Sequence, residues 1–242
     1  MKIFIISAFF MLLISCKKTV SIDEIFVSLS ASKTKLSADG LSMSEISVQL
    51  SPNSSADRRT VVFTTTSGNF IPGNQDKALV KAEYNDGVLI AKVLLRSPLK
   101  PGMISVSVSP EFDSPNSEYI LSTDIEAVPS EPFSMKIEPS GFGISSNFLT
   151  EIKLRGLLKN SENRPVSSGF NVVFEDVLLS GLAANGRFRA VQNQTADSSS
   201  VSAIYSAPAY PIGTEIKIRA VCLDSKGKKT VVRDSLLLTV NK

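Results

Sequence analysis

From Phe26 onward, apolar and polar residues alternate in short runs broken by Gly, Pro, Asn, Asp and Ser, and no stretch sustains a helical period. In Glu45-Ile46-Ser47-Val48-Gln49-Leu50 the apolar residues hold every second position, which puts them on one face of a strand and into a core. Met103-Ile104-Ser105-Val106-Ser107-Val108 repeats the pattern. Asn85-Asp86-Gly87 predicts a tight hairpin turn between Ala82-Glu83-Tyr84 and Val88-Leu89-Ile90, because Asp and Gly accept positive φ angles there. Asp224-Ser225-Lys226-Gly227-Lys228 predicts another between two late strands. The expected fold class is all-β.

The chain also repeats itself. Val61-Val62-Phe63 and Val172-Val173-Phe174 lie 111 residues apart, and the spacing from each Phe to a later Gly, Gly102 and Gly213, is 39 in both halves. Gly68-Asn69-Phe70 matches Gly186-Arg187-Phe188, with seven more residues between Phe and Gly in the second half. Such a spacing predicts duplicated modules rather than one barrel. Two prolines in Val128-Pro129-Ser130-Glu131-Pro132 mark a stiff link. The expected division is a domain over 26–127, a linker over 128–132 and a second domain over 133–242, each the size of a seven-stranded immunoglobulin-like sandwich.

Ser37-Ala38-Asp39-Gly40, Val61-Val62-Phe63 leading to Gly68-Asn69-Phe70, Asp86-Gly87 before an apolar strand, and Pro101-Gly102 before Ile104-Ser105-Val106 resemble the bacterial Ig-like domains of the invasin and intimin group. The resemblance covers residues 26–126; the second half lacks the Ala-Asp-Gly turn and matches through Val172-Val173-Phe174, Gly186-Arg187-Phe188 and Ile212-Gly213. It implies two tandem sandwiches. Modules of this group serve as stalks, spacers and adhesin tips alike, so the resemblance implies no single activity.

The first residues resemble a bacterial lipoprotein signal: Lys2, an apolar run from Ile3 to Ile14, then Leu13-Ile14-Ser15-Cys16. The run is 12 residues, too short for the roughly 20 that span a bilayer. The resemblance implies cleavage of residues 1–15, a diacylglycerol carrying palmitate-type chains on Cys16, and a lipidated tether over 16–25. Lys17 after the cysteine resembles the outer-membrane class of enteric lipoproteins. Which membrane face is occupied stays open.

Composition narrows the chemistry. The part after residue 15 holds 25 basic and 23 acidic side chains, which gives no footprint for nucleic acid. With no His, triads, His-ligated metals and imidazole switches are closed. Cys222 is the one cysteine besides Cys16, so acylation of Cys16 leaves no intrachain disulfide. It follows Ile216, Ile218 and Ala220 at period two and is expected to be a core thiol. Phe63 and Phe174 are expected in the cores. Ser32-Lys33-Thr34-Lys35 fits the S-x-x-K string of acyl-transferring enzymes, but its companion motifs are missing. No calcium-loop spacing occurs, and no metal or cofactor is expected. A glycosidase-like carboxylate pair has few candidates, since only a few acids, such as Glu175 and Asp176, are expected in loops, and the four Tyr offer little platform for sugars.

Three further places stand out. Asp234-Ser235-Leu236 resembles the O-glycosylation acceptor of some Bacteroidota. Lys226, Lys228 and Lys229 form the densest basic run, expected on a solvated hairpin or against the first domain. Sandwich connectivity brings loops near Phe142, Ile144 and Phe148, near Leu178, Leu179 and Leu182, and near Tyr210 to the far end of the second domain. Apolar loop tips point to a covered surface. Phe142, Leu182 and Tyr210 are therefore the candidate partner-binding residues; the competing expectation buries Leu178 and Leu179 in the core under a Phe148 cap. The functional expectation is a non-enzymatic, lipid-anchored envelope protein for adhesion or surface recognition, bound to the membrane by its anchor and to a protein or cell-surface partner by its tip. A scaffold subunit of a periplasmic or outer-membrane assembly is the alternative, and a glycan-active accessory protein a third.

Overall fold

The computed structural model describes residues 25–111 and 119–241. Cys16 and the signal-like segment lie outside the described residues. Ten strands come first: β1 (Phe26–Ala31), β2 (Lys35–Ser37), β3 (Met43–Leu50), β4 (Thr60–Thr65), β5 (Asn69–Ile71), β6 (Lys77–Lys81), β7 (Glu83–Asn85), β8 (Val88–Arg96), β9 (Gly102–Pro110) and β10 (Leu121–Val128). Eight follow: β11 (Ser134–Pro139), β12 (Gly143–Ser145), β13 (Ile152–Lys159), β14 (Val172–Leu178), β15 (Arg187–Gln192), β16 (Ser200–Ser206), β17 (Glu215–Leu223) and β18 (Lys229–Asn241).

They build two sandwiches. In the first, β1-β3-β8-β5, with β7 added to β8, packs on β2-β10-β9-β4-β6; in the second, β11-β13-β16-β15 packs on β12-β18-β17-β14. Each opening strand is split between sheets: β1 pairs antiparallel with β3 while β2 pairs parallel with β10, and β11 and β12 do the same with β13 and β18. This split, with the short β6 and β7, turns the seven strands expected per module into ten and eight.

Alternation fills the cores as the sequence requires. Ile46, Val48 and Leu50 of β3 and Ile104, Val106 and Val108 of β9 are all buried in one cluster. Asp86 and Gly87 take positive φ between the paired β7 and β8, the two-residue hairpin expected. Each core is centred on two Phe residues: Phe63 meets Phe70 edge-on with ring centroids 6.2 Å apart, and Phe174 meets Phe188 at the same 6.2 Å. These rings come from topologically equivalent strands, since β5 pairs with β8 and β15 with β16. The glycine two residues before Phe70 or Phe188 is needed because the neighbouring strand comes too close for a Cβ. One at Gly68 would lie 2.4 Å from the Arg96 carbonyl oxygen, and one at Gly186 2.3 Å from the Tyr205 hydroxyl.

The equal spacing of 39 has a different origin from simple duplication. The second half is seven residues longer between its two core Phe residues, while the first is eight longer between Phe70 and its strand partner Leu95 than the second between Phe188 and Tyr205. The first insertion is the loop after β14; the second carries β6 and β7. The strand pairings are equivalent, and the matching length arises from two unrelated insertions.

The link between the sandwiches is tied down. Ser130 donates its N–H to Ser167 Oγ (2.8 Å) and its hydroxyl to the Pro165 carbonyl (3.0 Å), and accepts from Asn160 Nδ2 (3.0 Å). Ser167 Oγ then donates to the Ala38 carbonyl (2.7 Å), and the Ser168 N–H to the Leu99 carbonyl (2.9 Å). Asp39 lies beneath these contacts, 1% exposed. It accepts from the Leu41 and Ser42 N–H groups and from the Ser42 and Ser97 hydroxyls, with Arg164 Nη1 of the second sandwich 3.7 Å away. Burial pushes its carboxyl pKa up, and these hydrogen bonds outweigh that, holding it below the usual carboxylate value.

Candidate functional site

Three connections of the second sandwich meet at the end remote from this junction: residues 140–150, 179–186 and 207–214. None contains Asp, Glu, Lys or Arg. Their exposed large apolar side chains are Phe142, Phe148, Leu149, Leu179, Leu182 and Ile212, interspersed with exposed polar ones such as Asn147, Ser180 and Asn185. A large apolar surface gathered on loop tips is unusual for a covered, self-sufficient sandwich.

The tip is also held in shape. Tyr210 laces the three loops: its N–H donates to Ser146 Oγ (3.0 Å) and its hydroxyl to the Ala184 carbonyl (3.0 Å). Phe148 N–H donates to the Ala207 carbonyl (2.7 Å) and Leu178 N–H to that of Leu182 (2.8 Å). Below them Asp176 accepts from the Gly186 N–H (2.6 Å) and the Tyr205 hydroxyl (2.9 Å). Burial, then the Asp176 carboxylate, pushes the Tyr205 phenol above its ordinary pKa, so it remains a hydrogen-bond donor at neutral pH.

The three candidate residues divide accordingly. Phe142 (64% exposed) and Leu182 (68%) stand open to solvent, whereas Tyr210 is half-buried against the core and acts as the rivet between loops. Ile144 is buried in β12, Leu178 packs on the core, and Leu179 is exposed. Phe148 carries the Arg187 guanidinium over its ring, 4.8 Å from the centroid. No residue pattern announces the Tyr210 bonds, which join loops far apart along the chain.

Other candidates fall elsewhere. Ser32 lies at a bend, and Lys35 is held by Glu126 at 2.8 Å; that hydrogen bond and charge raise its pKa, the reverse of what a base beside a nucleophilic serine needs. Glu175 and Asp176 alternate across β14, Glu175 toward Lys229 outside and Asp176 toward Tyr205 inside, so they do not face one reacting bond. Cys222 is buried, and burial followed by the nearby Glu131 raises its thiol pKa. Among the described residues no group of three or more His, Cys, Asp or Glu is placed to hold a metal ion. Contacts between the sandwiches run through Arg164, Ser167 and Ser168, while Lys226 and Lys228 are exposed and Lys229 pairs with Glu175. Ser235 is exposed on β18, opposite Arg219 of β17.

No protein-family model and no curated protein matches the sequence. Among solved structures, the chain is similar to the Yersinia pseudotuberculosis adhesin InvE, with 18% identity, 90% of this chain and 61% of that one covered, and a TM-score of 0.46. It is similar to invasin, a bacterial integrin-binding protein, with 17% identity, 88% and 39% covered and a TM-score of 0.57. InvD of Yersinia pseudotuberculosis follows with 14% identity, 91% and 58% covered and a TM-score of 0.44. This chain spans less than two thirds of the length of each of them. At 17% identity the invasin likeness speaks to fold alone. With its split opening strands and paired core Phe residues, the chain has the fold of tandem bacterial Ig-like domains of the invasin and intimin type.

Proposed function

We propose that this chain is a non-enzymatic envelope protein, anchored through a diacylglyceryl Cys16, that presents the tip of its second Ig-like domain to a protein or cell-surface partner. The domains of this reading are 26–127 and 133–242, joined by 128–132. One observation carries it: Phe142, Leu182 and their neighbours stand exposed on three laced, charge-free loops. Invasin, which shares the fold, is an integrin-binding protein, and recognition of a protein partner is the corresponding reading here. A scaffold subunit of an envelope assembly is the second reading, favoured by the hydrogen-bonded junction, which stiffens the pair of domains.

Protease accessibility separates the two. Digestion of the second domain on intact cells supports surface recognition; protection until the outer membrane is permeabilised rejects it in favour of a periplasmic scaffold. In parallel, Cys16→Ser is expected to shift the protein from the membrane to the soluble fraction and abolish acyl-chain labelling. Retention and labelling unchanged would reject the anchor.

A further inference from the structure

The second sandwich carries a charged feature that the tip does not use. Its last hairpin, residues 215–241, holds Lys217, Arg219, Lys226, Lys228, Lys229 and Arg233 against Glu215, Asp224 and Asp234, a formal +3 that equals that of the whole chain. Two of these acids are committed to backbone. Asp224 Oδ1 accepts from the Lys226 and Lys228 N–H groups, and Asp234 from those of Ile137 and Ser235. Lys217, Arg219 and Arg233 have no ion-pair partner among the described residues, and Lys229 neutralises Glu175.

Strand geometry gathers these cations. Ile216, Ile218, Ala220 and Cys222 of β17 point into the core, so Lys217, Arg219 and Val221 face outward. The register sets Arg219 beside Ser235 and Glu175, and Val221 beside Arg233. Together with Lys217, Lys229, Thr230 and Asp234 they line a groove of about 560 Å³, in which the four cations outnumber the Glu175 and Asp234 carboxylates. Val221 forms its floor, 5% exposed yet outside the core cluster. Successive outward residues lie roughly 7 Å apart along a strand and roughly 5 Å apart across to the neighbouring strand. The result is a short row of free cations at the spacing of a side-chain ladder.

We propose that this groove binds an acidic polysaccharide. Arg219 and Arg233 present paired N–H donors that match the oxygens of a sulfate or carboxylate, and Lys217 adds a point charge. The exposed Ser235 hydroxyl meets a sugar hydroxyl, whereas that of Thr230 is held by the Cys222 carbonyl and the Val232 N–H. No aromatic side chain lines the groove, so it lacks the stacking platforms by which single-stranded nucleic acid is held. The same lack makes the anionic substituents, rather than the sugar faces, the recognised feature. This site is separate from the tip and does not depend on the partner proposed there.

Binding of the full chain is measured at low salt to heparin as the sulfated probe, polygalacturonate as the carboxylated one, neutral dextran and a single-stranded DNA oligonucleotide. Heparin or polygalacturonate is expected to bind and dextran not to. R219Q/R233Q should weaken binding by about tenfold or more with an unchanged Tm, since both side chains are exposed. E175Q should tighten it, and F142S should leave it alone. Rising salt should weaken it steeply. The proposal is overturned if neither acidic polysaccharide binds, if R219Q/R233Q binds as tightly as the parent, if E175Q weakens binding, or if the oligonucleotide binds more tightly than both polysaccharides.

Discussion

The two ends of the second sandwich invert the usual distribution of polarity. At the junction end, Ser130, Ser167, Thr195 and Ser199 are buried and each is hydrogen-bonded, with Ser199 Oγ donating to the Val166 carbonyl and Thr195 Oγ1 to that of Ser167. At the far end the loops are uncharged and their large apolar side chains face water. Both ends are made of connections between the same strands, so the sheets dictate neither. Loop composition does. Buried polar atoms cost little when each finds a partner, whereas among the described residues nothing covers the exposed apolar ones. The first end is finished by the neighbouring domain, and on the proposed reading the second is finished by a partner.

Removing the junction's charge should break this contrast most strongly. Asp39→Ala strands the Leu41 and Ser42 N–H groups and the Ser97 hydroxyl and leaves Arg164 with Glu162 as its one acid, an expected loss of about 3 kcal/mol in urea unfolding. A loss under about 1 kcal/mol would mean that water replaces these bonds and that the junction is not an anchor.

The same carboxylate sets a pH dependence with a definite sign. Its folded pKa lies below the unfolded value, so the stability it contributes is complete above about pH 4 and drains away as pH falls through the folded pKa. Stability of the parent should therefore drop more than that of Asp39→Asn on going from about pH 6 to about pH 2.5. Parallel acid limbs would show that Asp39 is not the titrating group.

Tyr210→Phe probes the other end. It removes the donor to the Ala184 carbonyl while keeping the ring, and should cost about 1 kcal/mol. Because the hydroxyl ties two loops together, hydrogen exchange at Ala184 and Gly186, whose N–H groups are bonded to Asp176, should quicken more than in the strands; uniform acceleration would make Tyr210 an ordinary core residue.

What the sequence disclosed follows from period and turn chemistry. The alternation in β3 and β9 and the Asp86-Gly87 turn are local signals, and they read correctly. The Gly-x-Phe repeat pointed to equivalent strands because close strand approach demands Gly68 and Gly186 while the ring fills the core. The splitting of each opening strand was hidden, since it depends on which sheet a three-residue segment reaches. The junction was hidden as well: nothing in the residue pattern links Ser130 and Ser167, and only the fold brings the Ser130 N–H to 2.8 Å from Ser167 Oγ. Seven residues that registered only as a length difference between halves fall in the connection that supplies Leu179 and Leu182 to the tip. Side chains that meet across loops, such as Tyr210 and Ala184, leave no periodic trace.

The smallest effect is the most telling for the open end. Phe142→Ser and Leu182→Ser remove side chains that touch mostly solvent, so each should change unfolding stability by less than about 0.5 kcal/mol. If these residues form the partner surface, the same substitutions should abolish capture of that partner, the combination of large functional and negligible structural loss that a core residue cannot give. A drop of about 2 kcal/mol would instead show that Phe142 and Leu182 shield the core in solution. The tip would then be a self-covering cap, and both ends of the domain would be closed by the chain itself.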